Sequence, residues 1–238
     1  MQSMTNQTVL VTGAAGGIGR AIAIDLARVG ATVCLVGRTA ESLAGVRDEL
    51  GGRAFAFACD VGDDRQVAEL ADRVAAEAGP TDVLIHSAAV YYQQPLETAP
   101  VAELDEQYRI NLRAPYLLTQ RFLPQLKERR GQVVFINSST GVNARPGVSQ
   151  YAAVKHGLKG LADALRFEVA GAGIRVISVY PGQTATAMQE RRHRIEGKPY
   201  DPARLIQPAD VASAVTNAVT MARTAEVTDV HIRPRIVV

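Results

Sequence analysis

The chain of 238 residues is most easily bounded by what it lacks. It has two cysteines, Cys34 and Cys59, far apart and outside any CxxC pattern. That excludes a disulfide framework, and their apolar surroundings predict two reduced core thiols. The four histidines, 86, 156, 193 and 231, are scattered, and no H-E-x-x-H occurs, so no metal site is expected. A net charge of only +2 argues against a nucleic-acid or membrane partner. No apolar run approaches the about 18 residues of a transmembrane helix. The opening MQSMTNQ is polar and has no signal-peptide core, so a cytoplasmic protein is expected. There is no G-x-S-x-G elbow, which speaks against a serine hydrolase. The chain also carries no internal repeat or low-complexity tract.

What is present is alternation. Hydrophobic residues make up 47% and charged residues 21%, a balance that suits one compact domain over 1–238. Short β-rich runs stand at 8–12, 32–36, 54–58, 82–86, 132–137 and 174–180, with a last one, DVHI, near the end. Most are continuously apolar, as parallel strands covered on both faces must be. Between them, Ile18, Ile22, Leu26 and Val29 form one helical stripe, and Leu158, Leu161, Leu165 and Val169 form another. Strand and helix in regular turn predict an α/β fold, a doubly wound parallel sheet of about seven strands. The stretch 187–207, containing RRHR and KPYDP, breaks the rhythm and reads as an inserted flap without a strand.

The first strand runs straight into TGAAGGIG, with Gly13, Gly17 and Gly19 at T-G-x-x-x-G-x-G spacing and a helix beginning inside it. The first glycine allows a tight turn, and the later ones let a pyrophosphate approach the free N–H groups of the helix. With a strand before and an amphipathic helix after, the pattern predicts a Rossmann-type dinucleotide site. The second strand ends Val36-Gly37-Arg38-Thr39, with no acid to meet a ribose 2′-OH. Arg38 suits a 2′-phosphate, which favours NADP(H), with NAD(H) possible; the alternative is a solvated loop arginine. Asp60, after the third strand, is placed to accept from an adenine amino group or to cap the following helix.

In SQYAAVKHG, Tyr151 and Lys155 stand four apart on one face of a predicted helix. They follow a strand that ends Asn137-Ser138-Ser139-Thr140. With these pieces in order, the sequence resembles the short-chain dehydrogenase/reductase (SDR) family across nearly its whole length. The matching residues are TGAAGGIG, the CDV ending at Val61, Asn111 in RINL, Ser138 in FINSSTG, Tyr151-x-x-x-Lys155 and Tyr180-Pro181-Gly182-Gln183-Thr184-Ala185-Thr186.

The resemblance implies a carbonyl–alcohol oxidoreductase, a ketoreductase or alcohol dehydrogenase working by hydride transfer. Tyr151 would be the general acid for reduction and the base for oxidation. A free phenol has a pKa of about 10, so the Lys155 ammonium and an oxidised nicotinamide would be needed to favour phenolate. Ser138 would hydrogen-bond the substrate oxygen as charge develops. It lies thirteen residues before Tyr151 and three before Gly141, the family's spacing, which selects it over Ser139. Asn111 would hold a relay water, and Lys155 the ribose hydroxyls. The cofactor would run along Gly13, Ala15, Gly17, Ile18, Gly19, Arg38, Asp60, Val61, Ala88 and Ala89 to Tyr151 and Lys155. Pro181, Gly182, Thr184 and Thr186 would lie at its nicotinamide end, although that Pro-Gly could equally be a strand-ending turn.

Several features depart from the family or stay open. His86-Ser87-Ala88-Ala89 stands where the family usually has Asn-Asn-Ala-Gly. His86 would have to replace the first Asn as a brace, and Ala89 would need a negative φ. The chain ends EVTDVHIRPRIVV rather than in a TG…DGG segment. A small-molecule pocket is expected from Val142, Asn143, Tyr91 and Tyr92, with Gln183 and the flap above. RRHR reads as a solvated flap face, or else as a site for an acidic ligand. A homodimer or homotetramer is expected through helices around 101–128 and 150–171. A non-catalytic NADP(H) sensor is the rival function, since it needs only the glycine loop.

Overall fold

A computed structural model describes residues 3–235. Seven strands form one parallel sheet: β1 (Thr8–Thr12), β2 (Thr32–Gly37), β3 (Ala54–Ala58), β4 (Val83–His86), β5 (Gln132–Ile136), β6 (Arg175–Pro181) and β7 (Asp229–Ile232). Their order is β3-β2-β1-β4-β5-β6-β7. Each strand expected from the sequence is present, with shifts of a residue at the ends.

The helices are α1 (Gly17–Arg28), α2 (Ala40–Leu50), α3 (Asp64–Ala78), α4 (Val101–Tyr108), α5 (Ala114–Arg129), α6 (Ser149–Val169), α7 (Ala187–Ile195) and α8 (Pro208–Val219). A π turn, Arg109–Arg113, joins α4 to α5.

Side chains of a strand alternate between faces, so a sheet covered on both sides needs two apolar layers. Val9, Val11, Val33 and Leu35 pack into one, with Ile22 and Leu26 of α1 and Val211 and Val215 of α8. Leu10, Cys34 and Val36 pack into the other, with Leu70 of α3, Phe122 of α5, and Leu158 and Leu165 of α6. Ile18 and Val29, at the ends of the first predicted stripe, are partly buried against their layer, as Leu161 is against the second. Cys34 and Cys59 are free and buried; burial pushes their thiols up to about 12 and about 11.

The strand order turns back between β1 and β4, which opens a crevice at their carboxyl ends, where ligands bind in such sheets. The fold is therefore the Rossmann-type doubly wound sheet. The segment 187–207 holds α7 and a 3₁₀ turn at Pro202–Arg204, and a parallel bridge from Thr184 to Ile206 ties its far end to the sheet side. Among the described residues, no helix is long and apolar enough to cross a membrane.

Candidate active site

One wall of the crevice is the glycine loop against the segment after β4. Thr12 Oγ1 accepts the Ser87 and Ala88 N–H groups at 3.0 and 3.1 Å and donates to the Ile85 carbonyl at 3.3 Å. Gly13 has φ +68°, and a Cβ there would stand 2.9 Å from the Ala88 backbone. A Cβ on Gly19 would lie 2.4 Å from the Gly13 carbonyl oxygen. These two glycines let backbone touch backbone. Gly16 differs, since a Cβ there would meet nothing within 4 Å. It caps α1 without a side chain, and the first turn carries no acid, so its N–H groups and positive dipole face open space. Ala15 and Gly17 are exposed beside it, Ile18 is half-buried, and Gly19 is buried. This cradle fits a dinucleotide pyrophosphate. Arg38 is exposed just past the end of β2.

Asp60 accepts the Gly62 N–H at 2.9 Å and lies 3.7 Å from the Arg109 guanidinium. It does not cap α3: Asp63 does, accepting from Arg65 and Gln66 N–H. The capping alternative for Asp60 is thus corrected, and Arg109 is a neighbour not expected from the sequence. Val61 is buried beside it.

The variant wall is well braced. His86 is buried, its Nε2 lies 2.9 Å from Thr119 Oγ1 on α5, and its ring stacks on Phe135 at 4.9 Å. The brace therefore runs from β4 to a helix, and burial drives the imidazole down to about 3. Among the described residues, positive φ outside glycine is confined to Asn6 and Arg130, so Ala89 carries no left-handed strain.

Asn111 lies in the π turn and is buried. Its side chain bonds the Val90 backbone twice, Oδ1 from N–H and Nδ2 to carbonyl, both at 2.8 Å. Asn111 therefore holds the wall through its side chain, at the end of the segment that follows β4. π turns are frequent at functional sites for this kind of offset.

The floor comes from β5 and α6. Ser138 follows β5, and its Oγ accepts the Thr140 N–H at 3.1 Å. Tyr151 and Lys155 project one helical turn apart, with Lys155 Nζ 5.8 Å from the Tyr151 ring centre. Asn137, which sequence reasoning passed over, donates to the Lys155 carbonyl at 3.1 Å and so pins α6 to the end of β5. Lys155 Nζ donates to the Ile136 carbonyl at 3.1 Å.

Burial sets the electrostatics of the floor. Burial pushes the Tyr151 phenol up, against the opposing pull of the Ser138 hydroxyl, while burial brings Lys155 down to about 7. Among the protein's own groups, desolvation favours the neutral form of both and outweighs their attraction. The floor alone holds a phenol rather than a phenolate.

At the far end, Pro181 closes β6 and Gly182 follows it, with the Gly182 N–H bonded to Ile232. Thr184 is buried and donates to the Gly182 carbonyl at 3.1 Å. Thr186 caps α7: its Oγ1 accepts the Gln189 N–H and donates to the Thr184 carbonyl, both at 3.3 Å. Thr186 also lines the cavity, so the cap places it at the nicotinamide end expected for it. A Cβ on Gly17 would stand 3.2 Å from its methyl, which brings α7 up to the glycine loop.

These walls enclose a cavity of about 210 Å³ that exposes Ser138 and Tyr151. Tyr91, Asn143 and Gln183 line it as expected, with Met188 and Gln189 of α7. Tyr91 meets Tyr151 edge-on at 4.8 Å. Tyr92 instead lines a neighbouring cavity of about 430 Å³ and donates to Glu106, while Val142 lines neither. RRHR is split by the helical period: Arg191 and Arg194 are exposed, and Arg192 and His193 are buried. Arg192, with Arg145 from the loop before α6, lines the main cavity, which overturns the reading of the run as purely solvated.

Comparison with known proteins agrees with this construction. A family profile described as short chain dehydrogenase matches residues 7–196. D-beta-hydroxybutyrate dehydrogenase of Rhizobium meliloti is 32% identical over 78% of this chain and 74% of its own. Ketoacyl reductase HetN of a Nostoc species is 34% identical over 92% and 77%. Glycine betaine reductase ATRR of Emericella nidulans is 32% identical over 98% of this chain, which spans only 19% of that protein. Among solved structures, a metagenomic short-chain oxidoreductase in complex with NADP has TM-score 0.84 and 34% identity, covering 99% of this chain and 100% of that one. Levodione reductase has TM-score 0.89 and 27% identity, covering 97% of each. The profile spans well over half of the described fold, from the glycine loop past the Tyr151 helix, and the chain belongs to the short-chain dehydrogenase/reductase family of oxidoreductases.

Proposed function

We propose that the protein is an NADP(H)-dependent oxidoreductase that interconverts a small ketone or aldehyde with its alcohol. The observation that carries this reading is the convergence of the Ser138 and Tyr151 side chains on one small cavity whose wall continues into Ile18 of the glycine loop. A nicotinamide held at Pro181 to Thr186 would supply or take up the hydride at the carbonyl carbon. The Tyr151 hydroxyl then delivers its proton to the carbonyl oxygen, so that hydride plus proton turn carbonyl into alcohol; oxidation runs the same transfers backward. A buried phenol kept protonated by its surroundings suits the acid role. Ser138 donates to the oxygen that gains charge. Lys155 would hold the ribose hydroxyls and restore the proton of Tyr151, and its closeness to neutrality suits that exchange. Arg38 would hold the 2′-phosphate and Gly16 to Gly19 the pyrophosphate, with Asp60 toward the adenine and Thr184 toward the carboxamide. The segment 187–207 would act as a flap that closes over substrate and excludes water.

The protein would work as a homodimer or homotetramer. Tyr108, Tyr116 and Phe167, which are 49%, 51% and 82% exposed on α4 to α6, offer an apolar face for it. A monomeric mass in solution would refute this.

The test is a panel of carbonyl compounds with NADPH and NADH, following cofactor oxidation. Tyr151→Phe is expected to lower turnover by about 10²–10⁴ with cofactor affinity kept. Turnover surviving the substitution would end the assignment of Tyr151. A protein that binds NADPH and reduces nothing in the panel would turn the reading toward a sensor.

A further inference from the structure

The reductase reading leaves two side chains of the cavity without a task, Arg145 and Arg192. Arg145 stands exposed on the loop before α6, whereas Arg192 is only 9% exposed on α7. Both line the cavity that also exposes Tyr151 and Ser138.

Their charge is not balanced from within. Arg192 Nε donates to Glu196 Oε1 at 2.8 Å, and Glu196 Oε2 is shared with Lys198 at 2.9 Å. Burial alone would raise the Glu196 carboxyl, but its bonds to Lys198 and Arg192 hold it down at about 2. One carboxylate thus serves two cations, and Arg145 adds a further positive charge to the cavity lining. The described hydrogen bonds of Arg192 use Nε alone, which leaves the terminal nitrogens of its fork for another acceptor. No Asp or Glu is among the described residues lining the cavity. A buried guanidinium with half a counter-ion is costly, and an anion from the substrate would complete it. The positive field already reaches the reacting corner: burial raises the Tyr91 phenol, and Arg192 and Arg145 both draw it back.

We infer that this cavity selects carbonyl substrates bearing a carboxylate, small oxo acids and the matching hydroxy acids, with Arg145 and Arg192 gripping the carboxylate while Ser138 and Tyr151 hold the reacting oxygen. A guanidinium fork matches a planar carboxylate bidentately. The inference rests on the reductase reading and deepens it.

The experiment compares 3-, 4- and 5-oxohexanoate with their methyl esters, using NADPH and the full chain. At least one acid is expected to exceed its ester in kcat/KM by roughly tenfold or more, the scale of a charge-assisted contact. Arg145→Gln should shrink that acid-to-ester ratio roughly tenfold, through KM for the acid rather than kcat. Arg192→Gln should do the same; because that side chain also holds Glu196, its melting temperature is recorded alongside. Independently of turnover, hexanoate should raise the melting temperature of the NADPH-loaded protein where hexanamide does not, and Arg145→Gln should abolish the difference. Esters reduced as well as acids, with a ratio indifferent to Arg145, would overturn the inference and leave the reductase reading intact. If neither is reduced, the carbonyl panel decides the reductase reading, and the hexanoate melt still decides the arginine pair: a shift lost in Arg145→Gln supports it, and no shift refutes it.

Discussion

The two walls of the crevice are made from different materials. The wall against the glycine loop is backbone held to backbone: Thr12 bonds Ser87 and Ala88, and Gly13 and Gly19 leave no room for a methyl. The opposite wall is made of long side chains, Tyr91, Arg145, Met188 and Arg192, carried by loops and α7. A backbone wall recognises what every dinucleotide shares, a pyrophosphate and its geometry, and tolerates almost no change. A side-chain wall can be rewritten one residue at a time without disturbing the sheet, as site variation on a common fold requires.

The largest expected effect lies behind the backbone wall. His86 titrates near 3 when folded and near its ordinary 6.5 when unfolded, because burial disfavours its charge. Its contribution is complete above pH 6.5 and is lost as pH falls toward 3, since the unfolded chain binds the proton first. The loss would approach roughly 5 kcal/mol at the acid end. Asn cannot titrate, so the stability deficit of His86→Asn should narrow steadily from pH 6.5 to pH 4 in denaturant titrations. A deficit constant with pH would mean that the imidazole is not kept neutral.

Gly19→Ala comes next. Its methyl would meet a carbonyl oxygen at 2.4 Å, with only backbone to yield. A cost of about 1–3 kcal/mol is expected, with dinucleotide binding weakened at least in step. Thermal melts and a cofactor titration read both. Arg38→Ala should leave the melting temperature unchanged and raise the NADPH KM roughly tenfold while sparing NADH, as loss of a charge-assisted phosphate bond would. Equal effects on the two cofactors would remove the 2′-phosphate from its role. Smallest is Met188→Ala on the side-chain wall: a 39% exposed residue, whose loss should move stability by under about 0.5 kcal/mol. Its effect should appear in substrate KM. A large loss of stability there would erase the contrast between the walls.

The features legible in the sequence were those that depend on near neighbours. Strands appeared as apolar runs, α1 and α6 as stripes, and the Tyr151–Lys155 pair as a four-residue interval. The Thr186 cap at the start of α7 was local too, and its signal was present in Thr186 and Gln189 at N-cap spacing. Less legible was the partner of a polar side chain. Asn111 bonds Val90, 21 residues away, and His86 meets Thr119, 33 away. No pattern in one chain specifies such pairs, because many polar groups offer equivalent bonds and the fold alone selects among them.

The sequence by itself determined the doubly wound sheet, the glycine cradle and the serine, tyrosine and lysine of the floor, because period, glycine spacing and helical interval act over a few residues. Only the tertiary structure decided which groups lose water and which converge. It buried the Tyr151 phenol, brought Lys155 down toward neutrality, tied Asn111 to Val90, and brought Arg145 and Arg192 into one cavity lining. Desolvation and charge convergence are properties of the packed chain, and they arise only when distant segments close around the same small volume.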